Sequence, residues 1–177
     1  LSDSQAYFGR GEYDAAVIQL KNALLEDPDN RQARLLLGQA YLKLEDGPSA
    51  HKELSRALEL GASREAVLEP LGRALLMSGK SDELLELLAI EEGDPLALKV
   101  DLLVLQGQAH TAKQEYQAAD ERFSSALELD PVSVEALLGK ARIAYQGRDY
   151  ARMAELLDRA LSLEPDNADA WTLKGEM

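Results

Sequence analysis

The stretch GQAHTAKQEYQAADERFSSALELDP, residues 107–131, contains the clearest structural pattern in the chain. It predicts the end of one helix, a short turn, a complete second helix and a proline stop. Ala119, Phe123 and Ala126 are spaced i, i+4 and i+7, so they share one stripe of an α-helix. Two of these side chains are small, which lets a neighbouring helix approach closely around the aromatic ring. Because a helix cannot bury such a stripe alone, we expect helical partners on both sides.

The same unit recurs along the chain at intervals of about 34 residues. Steps of 34 or 35 residues connect a ladder of small residues, namely Gly38, Gly72, Gly107, Ala141 and Gly175. The proline stop is an independent marker, and it shows the same step from Pro131 to Pro165. Two separate markers in one register indicate a true internal repeat.

Each repeat is predicted to contain a helix A, a turn, a helix B and a short link. We place the repeats in a single array at 1–30 (partial), 31–64, 65–99, 100–133, 134–167 and 168–177 (partial). Because both ends fall inside a repeat and the sequence begins at Leu1, we expect a fragment of a longer protein.

The third repeat is irregular. Its helix A, predicted over 64–77, carries Pro70, so that we expect either a kink there or a later start. Its helix B, predicted over 81–90, is short and is followed by EEGDP. We therefore predict that this repeat is the softest joint of the array.

The composition restricts the class of function. Hydrophobic residues make up 46% of the chain but aromatic ones only 5%, which favours close-packed helices over a sheet. The net charge of −13 argues against nucleic acid and anionic membrane surfaces as partners.

No chemical site is predicted from the residue types. There is no cysteine, and the two histidines, His51 and His110, lie too far apart in sequence to form a local metal-binding pair. No phosphate-binding glycine loop of the GxxxxGK[ST] kind occurs. We therefore predict no catalytic, cofactor-binding or metal-binding residues.

The chain resembles the tetratricopeptide repeat family. The segment LLLGQAY, residues 35–41, matches the family pattern of helix A, and the residues at 119, 123, 126 and 131 match helix B and its closing proline. Ala62 in place of proline and Met153 in place of a small residue depart from that pattern. The resemblance implies an all-α, right-handed superhelix (an α-solenoid) of about five helix pairs. Such arrays are non-catalytic, and their A helices line a concave groove.

The expected ligand of that groove is a protein or peptide, held by polar and apolar side chains of the A helices. A row of equivalent positions holds Gln and Arg in four successive repeats. The alternative is that these positions are ordinary solvated ones. The predicted protein-binding residues are Gln39, Lys43, Arg73, Met77, Gln108, Thr111, Arg142 and Tyr145.

A narrower resemblance concerns residues 7–42, YFGRGEYDAAVIQLKNALLEDPDNRQARLLLGQAYL, with ALELGAS at 57–63 and NADAW at 167–171. These segments are similar to the amino-terminal region of the PrsT family of large repeat lipoproteins, which are encoded with bacterial PEP-CTERM/exosortase sorting systems. The resemblance implies a role in cell-envelope protein sorting or export. Membrane contact would then occur only through a lipid anchor outside this sequence.

Two other functions stay open. The chain could be a self-associating structural array, joined through apolar helix faces around Trp171 and Leu173 at its cut ends. It could also be an accessory repeat region of a larger enzyme, such as a glycosyltransferase.

Overall fold

A computed structural model describes residues 2–176, and the secondary structure in that range is entirely helical. The predicted all-α fold class, with the helix pairs expected of an α-solenoid, is confirmed. The eleven helices are α1 Ser2–Gly9, α2 Tyr13–Glu26, α3 Arg31–Lys43, α4 Gly47–Glu59, α5 Arg64–Met77, α6 Ser81–Leu87, α7 Leu96–Ala112, α8 Tyr116–Leu129, α9 Val134–Gln146, α10 Tyr150–Leu163 and α11 Ala168–Gly175. Odd-numbered helices are the A helices and even-numbered ones the B helices.

In the third repeat, helix α5 keeps its predicted bounds and helix α6 is shorter than predicted. Helix α5 begins at Arg64 with Pro70 inside it, so the alternative of a later start is wrong. The ring of Pro70 is buried, and this packing offsets the single hydrogen bond that proline cannot donate. Helix α6 ends at Leu87, three residues before the predicted end, because the chain turns there and Leu88 enters the core from outside the helix.

The chain forms two compact units, Leu1–Leu88 and Ala89–Met177. In the first unit, α1 to α6 pack in sequence order, and the A helices α3 and α5 also contact each other. In the second unit, α7 to α11 pack in the same way, with contacts between α7 and α9 and between α9 and α11. The predicted single array and the predicted softness of the third repeat stay predictions.

Each B helix contributes one fully or almost fully buried side chain at the same register position. In the third repeat that residue directly follows the helix. These residues are Leu20, Leu54, Leu88, Phe123 and Leu157. On the A helices, the register position that Gly139 occupies in α9 holds Leu36 in α3, Pro70 in α5 and Leu105 in α7. The repeat with the larger aromatic residue is therefore followed by the smallest partner.

The ring of Phe123 fits only because two glycines face it. A Cβ atom at Gly139 would lie 2.4 Å from the ring's Cζ, and one at Gly107 would lie 2.6 Å from its Cε1. Real Cβ atoms do not approach other atoms so closely, because interiors are already packed to crystal density. Phe123 thus packs against the backbones of α7 and α9 at the same time.

The turn between helix A and helix B has the same backbone geometry in all five repeats. Its central residue has a left-handed φ between 57° and 76°, at Gly11, Glu45, Gly79, Gln114 and Arg148. In every case the next residue donates its N–H to the carbonyl five residues earlier, at 2.9–3.0 Å. This bond ends helix A in a Schellman motif, which satisfies one of its terminal carbonyls. Three repeats tolerate a side chain where glycine is preferred.

Four A helices begin with a side-chain cap. The side-chain oxygen of the residue before each helix accepts a hydrogen bond from the backbone N–H three residues ahead, at 2.9–3.3 Å. The capping residues are Asn30, Ser63, Ser133 and Asn167. These caps satisfy donors that a helix leaves open at its start.

The shared turn generates a prediction about stability. Gln114→Gly should raise the free energy of unfolding by about 0.5–1 kcal/mol, because glycine adopts the left-handed conformation without a Cβ clash. Urea denaturation of the whole chain measures this change. Gln117→Gly, three residues later inside α8, is the control and should lower stability by about 1 kcal/mol. A lower free energy of unfolding in both variants would show that the backbone at Gln114 is not strained.

The packing of Phe123 generates a second prediction. Gly139→Ala should lower the free energy of unfolding by about 1–3 kcal/mol, although alanine is the better helix former, because the new Cβ overlaps the ring. Gly175→Ala is the control, since no atom lies within 4 Å of a Cβ there, and it should be neutral or stabilising. Adding Phe123→Leu to Gly139→Ala should recover part of the loss. Equal stability of the two alanine variants would refute the close contact.

Candidate protein-binding surfaces

The exposed faces of the A helices in the first unit enclose a pocket of about 650 Å³, called here the first-unit pocket. Gln39, Lys43, Arg73 and Met77, all predicted from the sequence, line it together. They come together because residues three or four apart lie on one face of a helix and α3 packs beside α5. The remaining lining residues are Phe8, Leu42, Glu45, Glu69 and Pro70.

Only some of the polar and charged side chains in the first-unit pocket form hydrogen bonds or ion pairs within the described part of the chain. Glu69 forms an ion pair with Arg73 one helical turn away. In contrast, Gln39 and Lys43 make no hydrogen bond or ion pair with any residue between 2 and 176. The pocket therefore offers an amide and an ammonium group to a ligand, beside the apolar side chains of Leu42 and Met77.

Phe8 is a pocket residue that the sequence reasoning missed. It lies in α1 and is half-buried. A signal for it exists, because a step of 34 residues back from Leu42 reaches position 8. The aromatic residue therefore occupies the position that leucine occupies in the next repeat.

The second unit has a smaller depression of about 250 Å³, called here the second-unit notch. Three predicted residues line it, namely Gln108 and Thr111 from α7 and Arg142 from α9. Ala112, Phe123 and Gly139 complete the lining, so the notch reaches down to the buried ring and to the bare backbone of α9.

The polar groups of the second-unit notch differ in how far they are engaged. The Thr111 hydroxyl donates to the carbonyl of Gly107 at 2.8 Å, within its own helix. Arg142 Nη2 lies 3.5 Å from Asp169 Oδ2, a long contact between side chains that are 42% and 71% exposed. Gln108 forms no hydrogen bond with any residue in the described range. An exposed pair such as Arg142 and Asp169 contributes little to stability, so a ligand can replace it readily.

Tyr145, the last of the eight predicted residues, does not line either depression. It is half-buried and packs against the core cluster of α9, α10 and α11. Its ring lies 6.3 Å from that of Tyr150, in an edge-to-face arrangement. This placement fits a packing contact at the end of α9.

Both histidines take part in ion pairs outside the two depressions. His51 Nε2 lies 3.0 Å from Glu83 Oε1, and Lys80 Nζ lies 2.8 Å from the other oxygen of that carboxylate. Hydrogen bonding from Lys80, with the charge of His51, lowers the pKa of Glu83. His110 Nδ1 lies 2.6 Å from Glu115, and this contact, with a second from Lys113, lowers the pKa of that carboxyl.

The exposed apolar face expected near the carboxyl end is smaller than predicted. Trp171 is 54% exposed, and its indole N–H donates to the carbonyl of Pro165 at 2.8 Å. Leu173, which we expected to be exposed with it, is instead buried. It turns inward because it lies two residues from Trp171 on the helix, and it packs with Ala170 against α9 and α10.

Between residues 2 and 176 no helix is long and apolar enough to cross a membrane. In the same range no cluster of three or more His, Cys, Asp or Glu side chains is arranged to hold a metal ion.

Two family models, both described as tetratricopeptide repeat, match the chain at residues 7–69 and 104–167. Together they span most of the sequence, and each falls within one compact unit. A search of curated proteins returned no match.

Several solved structures are similar in fold. YrrB, described as a TPR protein with an unusual peptide-binding site, is 19% identical, with a TM-score of 0.67 over 97% of this chain and 88% of that one. MamA from Desulfovibrio magneticus RS-1 is 19% identical, with a TM-score of 0.73 over 94% of each chain. PilF from Pseudomonas aeruginosa is 22% identical, with a TM-score of 0.74 over 97% of this chain and 78% of that one. At these identities the likeness concerns the fold alone.

Proposed function

We propose that this chain, which belongs to the tetratricopeptide repeat family, binds a polypeptide partner on the exposed faces of its A helices. Its repeats make it a protein-interaction scaffold. The observation that carries the proposal is the location of the two depressions. Both lie on A helices, and each includes the same row of register positions, Gln39 with Arg73 in the first unit and Gln108 with Arg142 in the second.

The chemistry of these surfaces suits an extended peptide. Gln39 and Gln108 present amides that are not used by the fold, and an amide can both donate to and accept from a peptide backbone. Apolar side chains lie beside them, so that alternate side chains of a bound segment can be buried. YrrB, whose fold is similar, is described as having a peptide-binding site, which supports the same class of ligand here.

The ionisable groups support a non-catalytic role. A catalytic carboxylate has an altered pKa within a cleft, where it can reach a substrate. Glu83 and Glu115 have lowered pKa values, and each is explained by neighbouring cations in ion pairs. Such pairs are common on the surfaces of helical proteins. Glu115 also lines a depression of about 390 Å³ at the start of α8, but a lowered pKa moves a carboxyl away from the neutral range that suits a general acid or base.

We further propose that the interaction serves protein sorting or export in a bacterial cell envelope. Support comes from the resemblance of residues 7–42, 57–63 and 167–171 to PrsT lipoproteins. The complete reading frame tests this placement, because it should encode a signal sequence and a lipidated cysteine before Leu1. Fractionation of cells with an antibody to this chain should then detect it in the envelope. Recovery in the cytosol would refute the placement but not the scaffold function.

Charge reversal tests the binding surface. Peptides that bind the whole chain would first be selected from a random library, and their affinities measured by calorimetry. Lys43→Glu combined with Arg142→Glu should weaken the selected peptides by about tenfold or more, since both cations lie on the proposed surfaces. The melting temperature should stay within a few degrees, because Lys43 has no partner in the described chain and Arg142 has a long, exposed one.

The matched control reverses the same kinds of charge on B helices. Lys52→Glu combined with Arg122→Glu changes one exposed lysine of α4 and one exposed arginine of α8. This variant should keep its affinity within about twofold, because neither side chain lies in the pocket or the notch. If the two double variants lose affinity equally, the A helices do not form the binding surface.

A further inference from the structure

The first-unit pocket and the second-unit notch occupy equivalent register positions but differ in size. Gln39 and Arg73 of the pocket correspond to Gln108 and Arg142 of the notch. The pocket encloses about 650 Å³, within the range of about 300–1,000 Å³ that is typical of ligand-binding cavities. The notch, at about 250 Å³, lies below that range. Of the two, the pocket is therefore the one that can bury part of a ligand.

The two units also differ in the side chains at this register. Leu42 and Met77 line the pocket, and the equivalent positions of the second unit hold Thr111 and Gln146, which are both polar. Met77 is 46% exposed, although α9 shows that a polar residue is tolerated at its position. The apolar surface of the pocket is thus not required by the repeat.

Four apolar side chains from three helices line the pocket. Phe8 belongs to α1, Leu42 to α3, and Pro70 and Met77 to α5. A methionine side chain is flexible and polarisable, so it can adapt its shape to different apolar groups. Apolar side chains that line a cavity favour an apolar ligand, because binding removes both surfaces from water.

The charged side chains of the pocket favour a ligand of neither sign. Two cations, Lys43 and Arg73, line it together with two anions, Glu45 and Glu69. Arg73 and Glu69 form an ion pair with each other. The four charges cancel, so a charged side chain would be attracted by one group and repelled by another. An apolar side chain, in contrast, loses no favourable hydration when it enters the cavity.

We propose that the first-unit pocket binds an uncharged apolar side chain of the polypeptide partner and is the anchor of that interaction. This inference rests on the proposed function and names the class of segment that the A helices recognise. In protein interfaces a few side chains seated in desolvated pockets supply most of the binding energy. Gln39, which bonds to no residue between 2 and 176, lies beside the apolar walls and can bind the backbone of the same segment.

Three amino-acid amides of similar shape test this preference without a known partner. The whole chain, labelled with ¹⁵N, would be titrated with the N-acetyl amides of L-leucine, L-asparagine and L-aspartate, whose side chains all branch at Cγ. The leucine probe should bind with a dissociation constant on the order of millimolar, as expected for so few atoms. It should shift the backbone amide signals of Gln39, Lys43 and Arg73. The other two probes should bind at least about fivefold more weakly, because their polar groups lose hydration in the pocket.

Two variants and one control locate the anchor. Leu42→Thr combined with Met77→Gln gives the pocket the residues of the second unit and should weaken the leucine probe by about fivefold or more. The fold should be kept, because α7 and α9 carry these residues at the same positions. Met77→Leu keeps an apolar side chain of similar volume and should bind the leucine probe within about twofold of the unchanged chain. The control, Leu129→Thr combined with Leu163→Gln, removes two exposed leucines outside the pocket and should have no effect.

Three results would overturn the inference. They are equal binding of the leucine and asparagine probes, tightest binding of the aspartate probe, and unchanged binding of the leucine probe by the variant that combines Leu42→Thr with Met77→Gln. Each would show that the apolar walls do not select the ligand.

These results are distinguishable from a failure of the proposed function. If charge reversal of the A helices weakens the selected peptides but the combined pocket variant does not, the scaffold function stands and the anchor fails. If the chain selects no peptide, the scaffold function fails, and the leucine probe still decides whether the pocket takes an apolar side chain.

Discussion

Much of the second unit depends on the contact of one phenyl ring with two helix backbones. Phe123 projects from α8 and meets α7 at Gly107 and α9 at Gly139, where no side chain separates the ring from the main chain. Three helices from two repeats are therefore positioned by a single side chain. Elsewhere the register position of Phe123 holds leucine, and that of Gly139 holds Leu36, Pro70 or Leu105. The larger residue of α8 is thus matched by a smaller one in α9, as close packing requires.

The polar groups that stabilise the fold and the polar groups that are exposed lie at different positions in each repeat. The turns between helix A and helix B engage backbone groups in the same way in each repeat, and side-chain caps do so at the start of four A helices. The polar side chains on the exposed faces of α3 and α7 are less engaged, and Gln39, Lys43 and Gln108 bond to no residue between 2 and 176. A repeat can therefore change its exposed face with little effect on its fold. This division suits a scaffold, in which the core and turns supply stability and the exposed face supplies recognition.

The sequence predicted features that follow from spacing and missed those that depend on individual side chains. Helix α5 begins and ends at the predicted residues, because a cap at Ser63 and a turn after Met77 bound it. The end of α6 was missed because Leu88 continues the apolar spacing of a helix although it lies outside one. Seven of the eight predicted surface residues line a depression, whereas Tyr145 packs beside Tyr150. The pairing of Arg73 with Glu69 depends on rotamers, which no periodic pattern reveals.

The fit of Phe123 to Gly139 has a consequence for how such a protein can change by recombination. Repeats of equal length are often regarded as interchangeable modules that can be duplicated, deleted or moved. Here the aromatic residue and the glycine that accommodates it lie in adjacent repeats, on α8 and α9. A crossover between these two helices would join Phe123 to a helix with a larger residue in place of Gly139, or Gly139 to a helix with leucine in place of Phe123. The first leaves an overfilled core and the second an underfilled one. The smallest segment that can be exchanged without a compensating substitution is thus larger than one repeat and includes both helices.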